Sequence, residues 1–295
     1  MMTGVHSDSR IERLIEEALM EDLGIGDITT DAIVPGDERG LGEIRAKESG
    51  VIAGVEIASQ TFHFVDPNLA FTSVAADGSS IKPGTVVASI EGPVAGILKA
   101  ERTALNILQR MSGIATLTRK FVDAAGGTKA RITDTRKTAP GLRVLDKLAV
   151  RLGGGTNHRF GLDDMVLIKS NHVVSAGGIS AAVDRCLRFL KEKNYRARVE
   201  VETRNLDEVR EALRCPGVDR LMLDNYSIPD MVLAVKLIDH AMEVEASGNV
   251  TLDTVRAIAE TGVDYISVGA LTHSPKALDL SLKILPPGSS SQPAP

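Results

Sequence analysis

The chain has 295 residues, long enough for a barrel with an appended domain or for two domains. Its net charge of −5, absence of Trp and 3% aromatic content argue against a nucleic-acid-binding protein, which normally carries a basic excess and aromatic stacking surfaces. No apolar run reaches the roughly 18 residues that span a bilayer, and the first residues lack the apolar core of a signal peptide. We therefore expect a cytoplasmic protein without membrane segments. Cys186 and Cys215 are too few for a disulfide framework or a zinc site.

The first part of the chain predicts an α+β domain. A helical pattern near 8–23 precedes short alternating strands separated by turn signals, and a long helical pattern follows at 101–125. Meandering strands combined with helices are typical of this class. At the other end of the chain, a Pro- and Ser-rich composition predicts a disordered tail at 287–295.

After about residue 129, short β-branched runs alternate with amphipathic helical patterns. Strands are predicted at 130–135, 165–171, 198–203, 220–225, 242–247 and 265–270. Helices are predicted between them at 180–193, 206–215, 228–240 and 251–262, the last with Thr251 as its N-cap. Alternation of this kind predicts parallel strands joined by right-handed crossovers.

The regular repeat favours a barrel over an open doubly wound sheet. Positions 201, 223, 245 and 267 of the last four strands are 22 residues apart, the length of one strand, one helix and two short loops. No Gly-rich dinucleotide-binding motif follows the first strand, and polar residues gather at the carboxyl ends of nearly every strand. Because six strands are recognisable, we expect a partial or modified barrel.

Basic residues cluster in the loops expected after the first barrel strand. The stretch DTRKTAPG contains Thr135, Arg136 and Lys137, and the next loop adds His158 and Arg159 close to three glycines, 153–155, that let the backbone approach a ligand. Arg binds planar oxyanions through two hydrogen bonds and Lys supplies a mobile charge, so this rim suits several carboxylates or phosphates. A solvated helix face paired with Asp146 is an equally good interpretation for Arg143, Lys147 and Arg151.

Two later stretches have the pattern of phosphate-binding loops. EASGNVT places Ser247, Gly248 and Asn249 between a strand and a helix, and SVGALTHS places Gly269 and Ala270 before a helix expected at 274–280. Backbone N–H groups at a helix N-terminus bind phosphate, and barrels often hold one after their last two strands. A small-residue turn is also an ordinary strand-to-helix loop, but two on successive strands favour phosphate.

Acidic residues end two other strands of the predicted barrel. Glu202 and Asp224 provide hard oxygen ligands for Mg²⁺ or acceptors for sugar hydroxyls. An ion pair with Lys169 or Arg136 is the structural alternative and does not exclude the functional one. A phosphate, a polyanion with metal, a diol and a carboxylated ligand are together the parts of a phosphoribosyl transfer.

Several motifs resemble one family over nearly the whole chain up to about residue 285. They are GDITT, AERTALNILQRMSGIAT, TDTRKTAPGLR, AVRLGGGTNHRFGLDDMVLIKSNH, VEVET, LMLDN, EASGNVT and ETGVDYISVGALTHS. The sequence resembles quinolinate phosphoribosyltransferase, the nicotinate-nucleotide pyrophosphorylase (carboxylating) family. The resemblance implies a type II phosphoribosyltransferase of the α/β class, with an N-terminal α/β sandwich domain and a C-terminal open, partial TIM-like α/β barrel. The implied domain limits are 1–114, joined by 279–286, and 115–278.

The resemblance also implies an activity and a site. The activity is transfer of phosphoribosyl from 5-phosphoribosyl 1-diphosphate to quinolinate with decarboxylation, giving nicotinate mononucleotide, CO₂ and diphosphate in NAD biosynthesis. The implied catalytic residues are Lys137, Lys169, Glu202 and Asp224, the last two also holding Mg²⁺. The implied substrate-binding residues are Arg102, Thr135, Arg136, Lys137, His158, Arg159, Lys169, Glu202, Asp224, Ser247, Gly248, Asn249, Ser267, Val268, Gly269 and Ala270.

In this family resemblance, Arg136, His158, Arg159 and Lys169 correspond to the quinolinate side. A homodimer, or a hexamer built as a trimer of dimers, is implied, with Arg102 of the partner subunit reaching the site. Two positions depart from the family pattern: Ala139 stands where Thr is more common, and Ser170 replaces a commonly acidic residue, which bears on the diphosphate or metal geometry.

Three other functions stay open from the sequence. A related phosphoribosyltransferase acting on a different base, including the molybdenum-associated relatives, would share the fold. A non-catalytic carrier or ligand-binding barrel would share the cationic rim without the chemistry. A phosphosugar isomerase is disfavoured, because it needs no second site for a polycarboxylate.

Overall fold

The structure is a computed structural model that describes residues 8–286. The tail predicted at 287–295 lies outside the described residues. Contacts divide the described chain into two compact units, one formed by 8–119, 138–154 and 272–286 and the other by 120–137 and 155–271. The domain limits expected from the sequence, 1–114 and 115–278, stay a prediction.

Helices and strands alternate along both units. The helices are α1 Ser9–Leu23, α2 Ile28–Ile33, α3 Val55–Val65, α4 Val94–Ala124, α5 Arg143–Leu152, α6 Ser170–Ala176, α7 Ile179–Glu192, α8 Leu206–Ala212, α9 Ile228–Ile238, α10 Val255–Glu260 and α11 Ala270–His273. The strands are β1 Arg39–Ala46, β2 Gly50–Val51, β3 Ala70–Ser73, β4 Ser80–Ile81, β5 Val86–Pro93, β6 Arg131–Thr133, β7 Val166–Ile168, β8 Val199–Thr203, β9 Arg220–Asp224, β10 Glu243–Ser247, β11 Tyr265–Ser267 and β12 Leu280–Ile284.

The first unit is built on a four-stranded antiparallel sheet of order β12-β1-β5-β3. Ile44 of β1 pairs with Leu282 on one side and Ala88 on the other, so the chain segment at 280–284 completes this sheet. Buried side chains of the sheet pack against α3 and α4, with Phe62, Ile97 and Leu108 among the residues of this core. Burial of such apolar surface is the main force that stabilises the unit.

The second unit holds a six-stranded parallel sheet of order β6-β11-β10-β9-β8-β7. From β7 to β11 each strand pairs with the next strand along the chain, and β11 pairs with β6. Within residues 8–286, β6 and β7 form no ladder with each other, so the sheet is an open α/β barrel. Thr156 forms a single parallel bridge with Thr133 on the open edge of β6. The expected partial barrel is confirmed.

All six strands predicted in the second half are present, and so are the four helices predicted between them, three with shorter bounds and the one predicted at 180–193 shifted by one residue. Local signals explain where some helices begin. Asp8 accepts a hydrogen bond from the backbone N–H of Arg10 at the start of α1, and Ser227 caps α9 ahead of Pro229.

Three boundary predictions were wrong. The helix predicted from 251 begins at Val255 after Thr254, because Thr251 forms a turn whose carbonyl accepts from Val255. The helix predicted at 274–280 is absent: Pro275 disfavours helical backbone before it, and Leu280 pairs with β1. The long helix begins at Val94 rather than 101. Among the described helices none is long and apolar enough to span a membrane.

Candidate active site

The parallel strands of the barrel unit bring the predicted residues to one end of the sheet. Asp224, the last residue of β9, is in register with Ser247 of β10, and Ser267 of β11 is in register with Thr133 of β6. Glu202 lies one residue before the end of β8. Because the carboxyl ends of parallel strands share an edge, the loops that follow them converge there. The strand-end positions of the predicted site therefore occupy one rim.

A cationic pair forms the most distinctive part of this rim. Arg136 is exposed after β6, and Arg159 is half-buried with its Nη1 donating to the carbonyl of Met165 at 3.0 Å. Burial, and then the nearby charge of Arg136, lower the pKa of Arg159 from its ordinary value. Two guanidinium groups close enough to repel each other create a site that an anion stabilises. Lys137 follows, with its backbone N–H donating to Thr135 Oγ1 at 3.0 Å.

An ion pair connects the residue after β7 with a residue of β8. Lys169 Nζ lies 3.6 Å from Glu202 Oε2, and the backbone N–H of Ser170 donates to Glu202 Oε1 at 3.2 Å. The Glu202 side chain is 10% exposed and the Lys169 side chain 50% exposed. The structural alternative stated for Glu202, an ion pair with Lys169, is thus present. Ser170 contributes its backbone N–H to the same carboxylate.

Asp224 is tied to the loop after β10. Asn225 Nδ2 donates to Asp224 Oδ2 at 3.2 Å, and Asn225 Oδ1 accepts from Asn249 Nδ2 at 3.0 Å. Asn225 and Asn249 have φ values of 57° and 50°, and Gly248 between them in space has φ 100°. A Cβ on Gly248 would lie 2.3 Å from Asn225 Oδ1. Left-handed backbone at non-glycine residues is concentrated at functional sites, which supports this loop as one.

The final predicted loop starts a short helix. Val268 N–H donates to the carbonyl of Thr133 at 2.9 Å, and α11 begins at Ala270, directly after Gly269. Gly269 and Ala270 therefore adjoin the β6 edge of the rim. The loop at Ser247, in contrast, does not lead straight into a helix, because α10 begins at Val255. Phosphate binding by these two loops stays a prediction.

His158, predicted to bind quinolinate, lies in a buried group whose other members sequence reasoning did not assign. His158 Nε2 is 3.0 Å from Glu200 Oε2 and 3.4 Å from Glu245 Oε2, and Arg220 Nη1 donates to Glu245 Oε2 at 3.1 Å. The Glu200 and Glu245 side chains are fully buried and that of His158 is 6% exposed. We call His158, Glu200, Glu245 and Arg220 the buried cluster. The signal in the sequence is the placing of acids at alternate positions of VEVET and MEVEAS.

The buried cluster holds a proton tightly. Burial disfavours the imidazolium of His158, but hydrogen bonds to Glu200 and Glu245 and their charges outweigh burial and raise its pKa to about 9. Burial and the charge of Glu245 raise the pKa of Glu200, whereas His158 and Arg220 lower that of Glu245 despite its burial.

The backbone N–H of Arg159 donates to His158 Nδ1 at 2.8 Å. The ring therefore carries its N–H at Nε2, and the additional proton belongs to the Glu200 side of the shared hydrogen bond.

The buried cluster is also the one group among the described residues with three ligand-type side chains in close reach. Ligand atoms of His158, Glu200 and Glu245 lie within 4.8 Å of one another. The arginine on Glu245 already supplies positive charge there, which disfavours a divalent cation. Glu202 and Asp224, with hard carboxylate oxygens at the rim, are the better match to Mg²⁺, which is usually held by one or two carboxylates and substrate phosphates.

The predicted residues of the first unit have other surroundings. Arg102 is exposed on α4. Asp146, expected to pair with basic residues of its own helix, is fully buried and accepts from Arg110 Nε and Nη2, both at 2.8 Å. Lys147 is buried rather than on a solvated face. A Cβ on Gly153 would lie 2.6 Å from the carbonyl of Ala115, so this glycine permits close packing on α4 rather than ligand contact, which corrects its expected role.

Two family models match most of the chain. Residues 27–112 match the N-terminal domain and residues 114–283 the C-terminal domain of quinolinate phosphoribosyl transferase. A chloroplastic nicotinate-nucleotide pyrophosphorylase (carboxylating) of Arabidopsis thaliana is 48% identical over 294 residues, 95% of this chain and 84% of that protein. Quinolinate phosphoribosyltransferase (decarboxylating) 1b of Nicotiana tabacum is 47% identical over 95% of this chain and 83% of its own length.

A solved structure of a nicotinate-nucleotide pyrophosphorylase is also similar to this chain. The nicotinate-nucleotide pyrophosphorylase of Francisella tularensis superposes with a TM-score of 0.87 at 39% identity, covering 94% of this chain and 96% of that one. An open α/β barrel with a cationic and an acidic rim thus defines a phosphoribosyltransferase class. The chain belongs to the quinolinate phosphoribosyl transferase family.

Proposed function

We propose that this chain transfers phosphoribosyl from 5-phosphoribosyl 1-diphosphate to quinolinate with loss of CO₂, forming nicotinate mononucleotide and diphosphate in the de novo synthesis of NAD. The observation that carries the proposal is the arginine pair, Arg136 and Arg159, on the rim that also bears Glu202 and Asp224. A dicarboxylate needs concentrated positive charge, and a ribose that develops positive charge needs carboxylates. Family membership, with relatives named for this activity, supports the assignment.

Quinolinate binds on the cationic side in this proposal. Arg136, Arg159 and Lys169 hold its two carboxylates, while His158 contacts the backbone N–H of Arg159. Arg forms paired hydrogen bonds to a carboxylate, so the ring is held in one orientation. The pyridine nitrogen then faces the ribose.

Phosphoribosyl diphosphate binds toward the acidic side. The backbone of 247–249 and 267–270 holds its phosphates, and Lys137 and Lys169 offset the charge that develops on the departing diphosphate. Glu202 and Asp224 stabilise the positive ribose as the C1–O bond to diphosphate breaks and the pyridine nitrogen bonds to C1. The carboxylate next to that nitrogen then leaves as CO₂, and its electron pair stays on the ring carbon beside the cationic nitrogen until a proton replaces it.

A magnesium ion accompanies the diphosphate in this proposal. Glu202 and Asp224 would hold it, because their carboxylate oxygens are hard ligands at the rim rather than in the buried cluster. When bound, Mg²⁺ neutralises charge on the diphosphate. Ser170, whose backbone N–H donates to Glu202, leaves the Glu202 side chain in place although the family's more common acidic residue is missing.

We further propose a cytoplasmic homodimer, or a hexamer of three such dimers, without a nucleic-acid partner. In it, Arg102 of the partner subunit completes the quinolinate side. The exposed position of Arg102 on a helix leaves its guanidinium available to another subunit. The acidic net charge of −5 disfavours binding to nucleic acid.

The experiment is a comparison of bases. Purified protein is incubated with phosphoribosyl diphosphate, Mg²⁺ and either quinolinate or nicotinate, and nucleotide, CO₂ and diphosphate are measured. Turnover of quinolinate with CO₂ release is expected, with nicotinate inactive. Preference for nicotinate would assign the chain to a different base, and absence of diphosphate release with either base would favour a ligand-binding barrel.

A further inference from the structure

The buried cluster includes the residue that precedes Arg159 of the arginine pair. His158 precedes Arg159 in sequence, and the backbone N–H of Arg159 donates to His158 Nδ1 at 2.8 Å. The other ring nitrogen, Nε2, faces carboxylate oxygens of Glu200 at 3.0 Å and Glu245 at 3.4 Å. Both nitrogens of the imidazole are thus engaged. The ring connects two buried carboxylates to the backbone of Arg159.

The backbone of His158 is fixed as well. Its N–H donates to Asp134 Oδ1 at 2.9 Å, and Asp134 is itself fully buried at the end of β6. Neither the ring nor the backbone of His158 can turn without breaking hydrogen bonds that are shielded from water. Such a residue transmits the position of its partners to the next residue along the chain.

Glu200 and Glu245 are buried without complete hydrogen bonding. In the described part of the chain, Oε1 of each has no hydrogen-bond partner. Buried carboxylates left partly unpaired are unfavourable for folding, since apolar residues of similar size would pack at that depth without the penalty. Groups that persist in such an environment are concentrated at functional sites.

Arg220 supplies positive charge beside Glu245 and so disfavours a metal ion in the buried cluster. Its Nη1 donates to Glu245 at 3.1 Å, and its Nε and Nη2 donate to Glu243 at 3.2 and 3.0 Å. The guanidinium also stacks on the ring of Tyr265 with 3.9 Å from Cζ to the centroid. A divalent cation among His158, Glu200 and Glu245 would lie next to this fixed positive charge.

We propose that Glu200 and Glu245 are positioning residues for quinolinate binding, which act through His158 on Arg159. They fix the imidazole, the imidazole fixes the Arg159 backbone, and Arg159 is thereby held beside Arg136 against the repulsion between the two guanidiniums. His158 acts as the link in this chain of contacts, with its ring nitrogens turned to protein groups. The inference rests on the proposed function, because it names quinolinate as the anion that the arginine pair binds.

Glu243 provides a matched control for the test. It lies two residues from Glu245 on β10 and accepts from Arg220 as Glu245 does, but it contacts Arg198, Arg220 and Tyr265 rather than His158. Glu245→Gln and Glu243→Gln each remove one negative charge beside Arg220. A purely structural role through Arg220 predicts that both variants behave alike.

The kinetic experiment measures KM for both substrates in wild type, Glu245→Gln, Glu200→Gln and Glu243→Gln. We expect KM for quinolinate to rise about tenfold or more in the Glu245 and Glu200 variants, by analogy with loss of partners behind a ligand-binding residue. In these two variants KM for phosphoribosyl diphosphate should stay within about twofold of the wild-type value. In Glu243→Gln the KM values for both substrates should stay within about twofold of wild type. Equal effects of Glu243→Gln and Glu245→Gln, or equal changes in both KM values, would overturn the proposal.

A second readout does not depend on turnover. In ¹⁵N-histidine-labelled protein, ring nitrogen shifts identify the tautomer of His158, assigned by its loss in His158→Gln. The wild type is expected to show Nε2–H with an unprotonated Nδ1, and Glu245→Gln is expected to change the ring signals, whereas Glu243→Gln is not. Unchanged signals in Glu245→Gln overturn the proposal, and so does a stoichiometric metal ion bound through His158. If the wild-type protein does not turn over quinolinate, the proposed function is refuted instead. The histidine spectrum then still decides whether Glu245 fixes the ring.

Discussion

Arg136 and Arg159 lie close enough for the charge of one to lower the pKa of the other. Two like charges held together on a scaffold are unfavourable in the empty protein and become favourable when an anion binds between them. The other strand ends of the same sheet contribute carboxylates, Glu202 and Asp224. The rim therefore separates a side for a polycarboxylate from a side for a ribose that becomes positive.

Removal of either arginine should impair use of quinolinate. Arg136→Ala and Arg159→Ala are each expected to lose about 2 kcal/mol of transition-state stabilisation, or roughly 30-fold in kcat/KM, because a charge-assisted contact is lost. Steady-state kinetics against quinolinate measure this. Arg188→Ala, which removes an exposed arginine of α7, should match wild type. Wild-type kinetics from both site variants would remove the arginine pair from the site.

Removal of the rim carboxylates should change the response to magnesium. Glu202→Gln and Asp224→Asn are expected to lower kcat and to raise the Mg²⁺ concentration that gives half-maximal rate, since each substitution removes a hard ligand. Rate is measured against Mg²⁺ at fixed substrate concentrations. The exposed Glu192→Gln serves as the control. An unchanged magnesium response in both variants would contradict the assignment of these ligands.

Gly248 should be required for the geometry of the loop after β10, and Gly127 offers a matched comparison. Both have positive φ, 100° and 79°, but a Cβ on Gly248 would lie 2.3 Å from Asn225 Oδ1, whereas Gly127 has nothing within 4 Å. Each Ala substitution is expected to destabilise by about 1 kcal/mol through backbone strain. Only Gly248→Ala should also raise KM for phosphoribosyl diphosphate, because Asn225 must shift beside Asp224. Equal KM values in the two variants would show that this loop does not contact that substrate.

Stability should fall as pH rises because of the buried cluster. The pKa of His158 is raised from 6.5 to about 9 in the folded protein. A group with a raised folded pKa contributes stability that is complete below the unfolded pKa and is lost as pH rises through the folded one. The unfolding free energy should thus decrease on the order of 3 kcal/mol between pH 6.5 and 9.

Urea unfolding at several pH values measures this slope. His158→Gln should flatten it between pH 6.5 and 9, because that variant lacks the imidazole that shares the additional proton with Glu200. Glu243→Gln should leave the slope in place. A wild-type stability that is constant or increases through this window would be incompatible with a proton held by the cluster.

The shared site can be tested by mixing inactive subunits. If Arg102 acts in the partner's site, a dimer of one Arg102→Ala and one Arg136→Ala subunit has one site with both defects and one intact site. Random exchange should then restore about a quarter of the wild-type sites, since half of the dimers are mixed and each has one good site of two. Rate is measured after exchange is verified with differently tagged subunits. Absence of recovery in verified mixed dimers would place Arg102 and Arg136 of one chain in the same site.

Local patterns predicted the barrel strands well because β-branched runs and a repeat of 22 residues depend only on nearby sequence. Longer-range effects were missed. The pattern at 274–280 resembles a helix, but pairing of Leu280 with Ala46 of β1 decides its structure. The early start of α4 at Val94 was hidden by Gly96, a weak helix former.

In the candidate site, too, contacts between residues distant in sequence were missed. Strand-end residues such as Glu202 and Asp224 were found because parallel strands place their ends together. Glu200 and Glu245 were not assigned, because the partner of each is His158, and that contact joins residues 42 apart for Glu200. Only the folded sheet shows that these acids point at one imidazole rather than at solvent.

The most direct measurement follows a single carbon atom. Quinolinate labelled with ¹³C in the carboxylate beside the ring nitrogen is incubated with the protein, phosphoribosyl diphosphate and Mg²⁺, and the label is traced by NMR. The account predicts that the label appears as CO₂ in amounts equal to the nicotinate mononucleotide and diphosphate formed. Label retained in a nucleotide product, or no diphosphate at all, would contradict it.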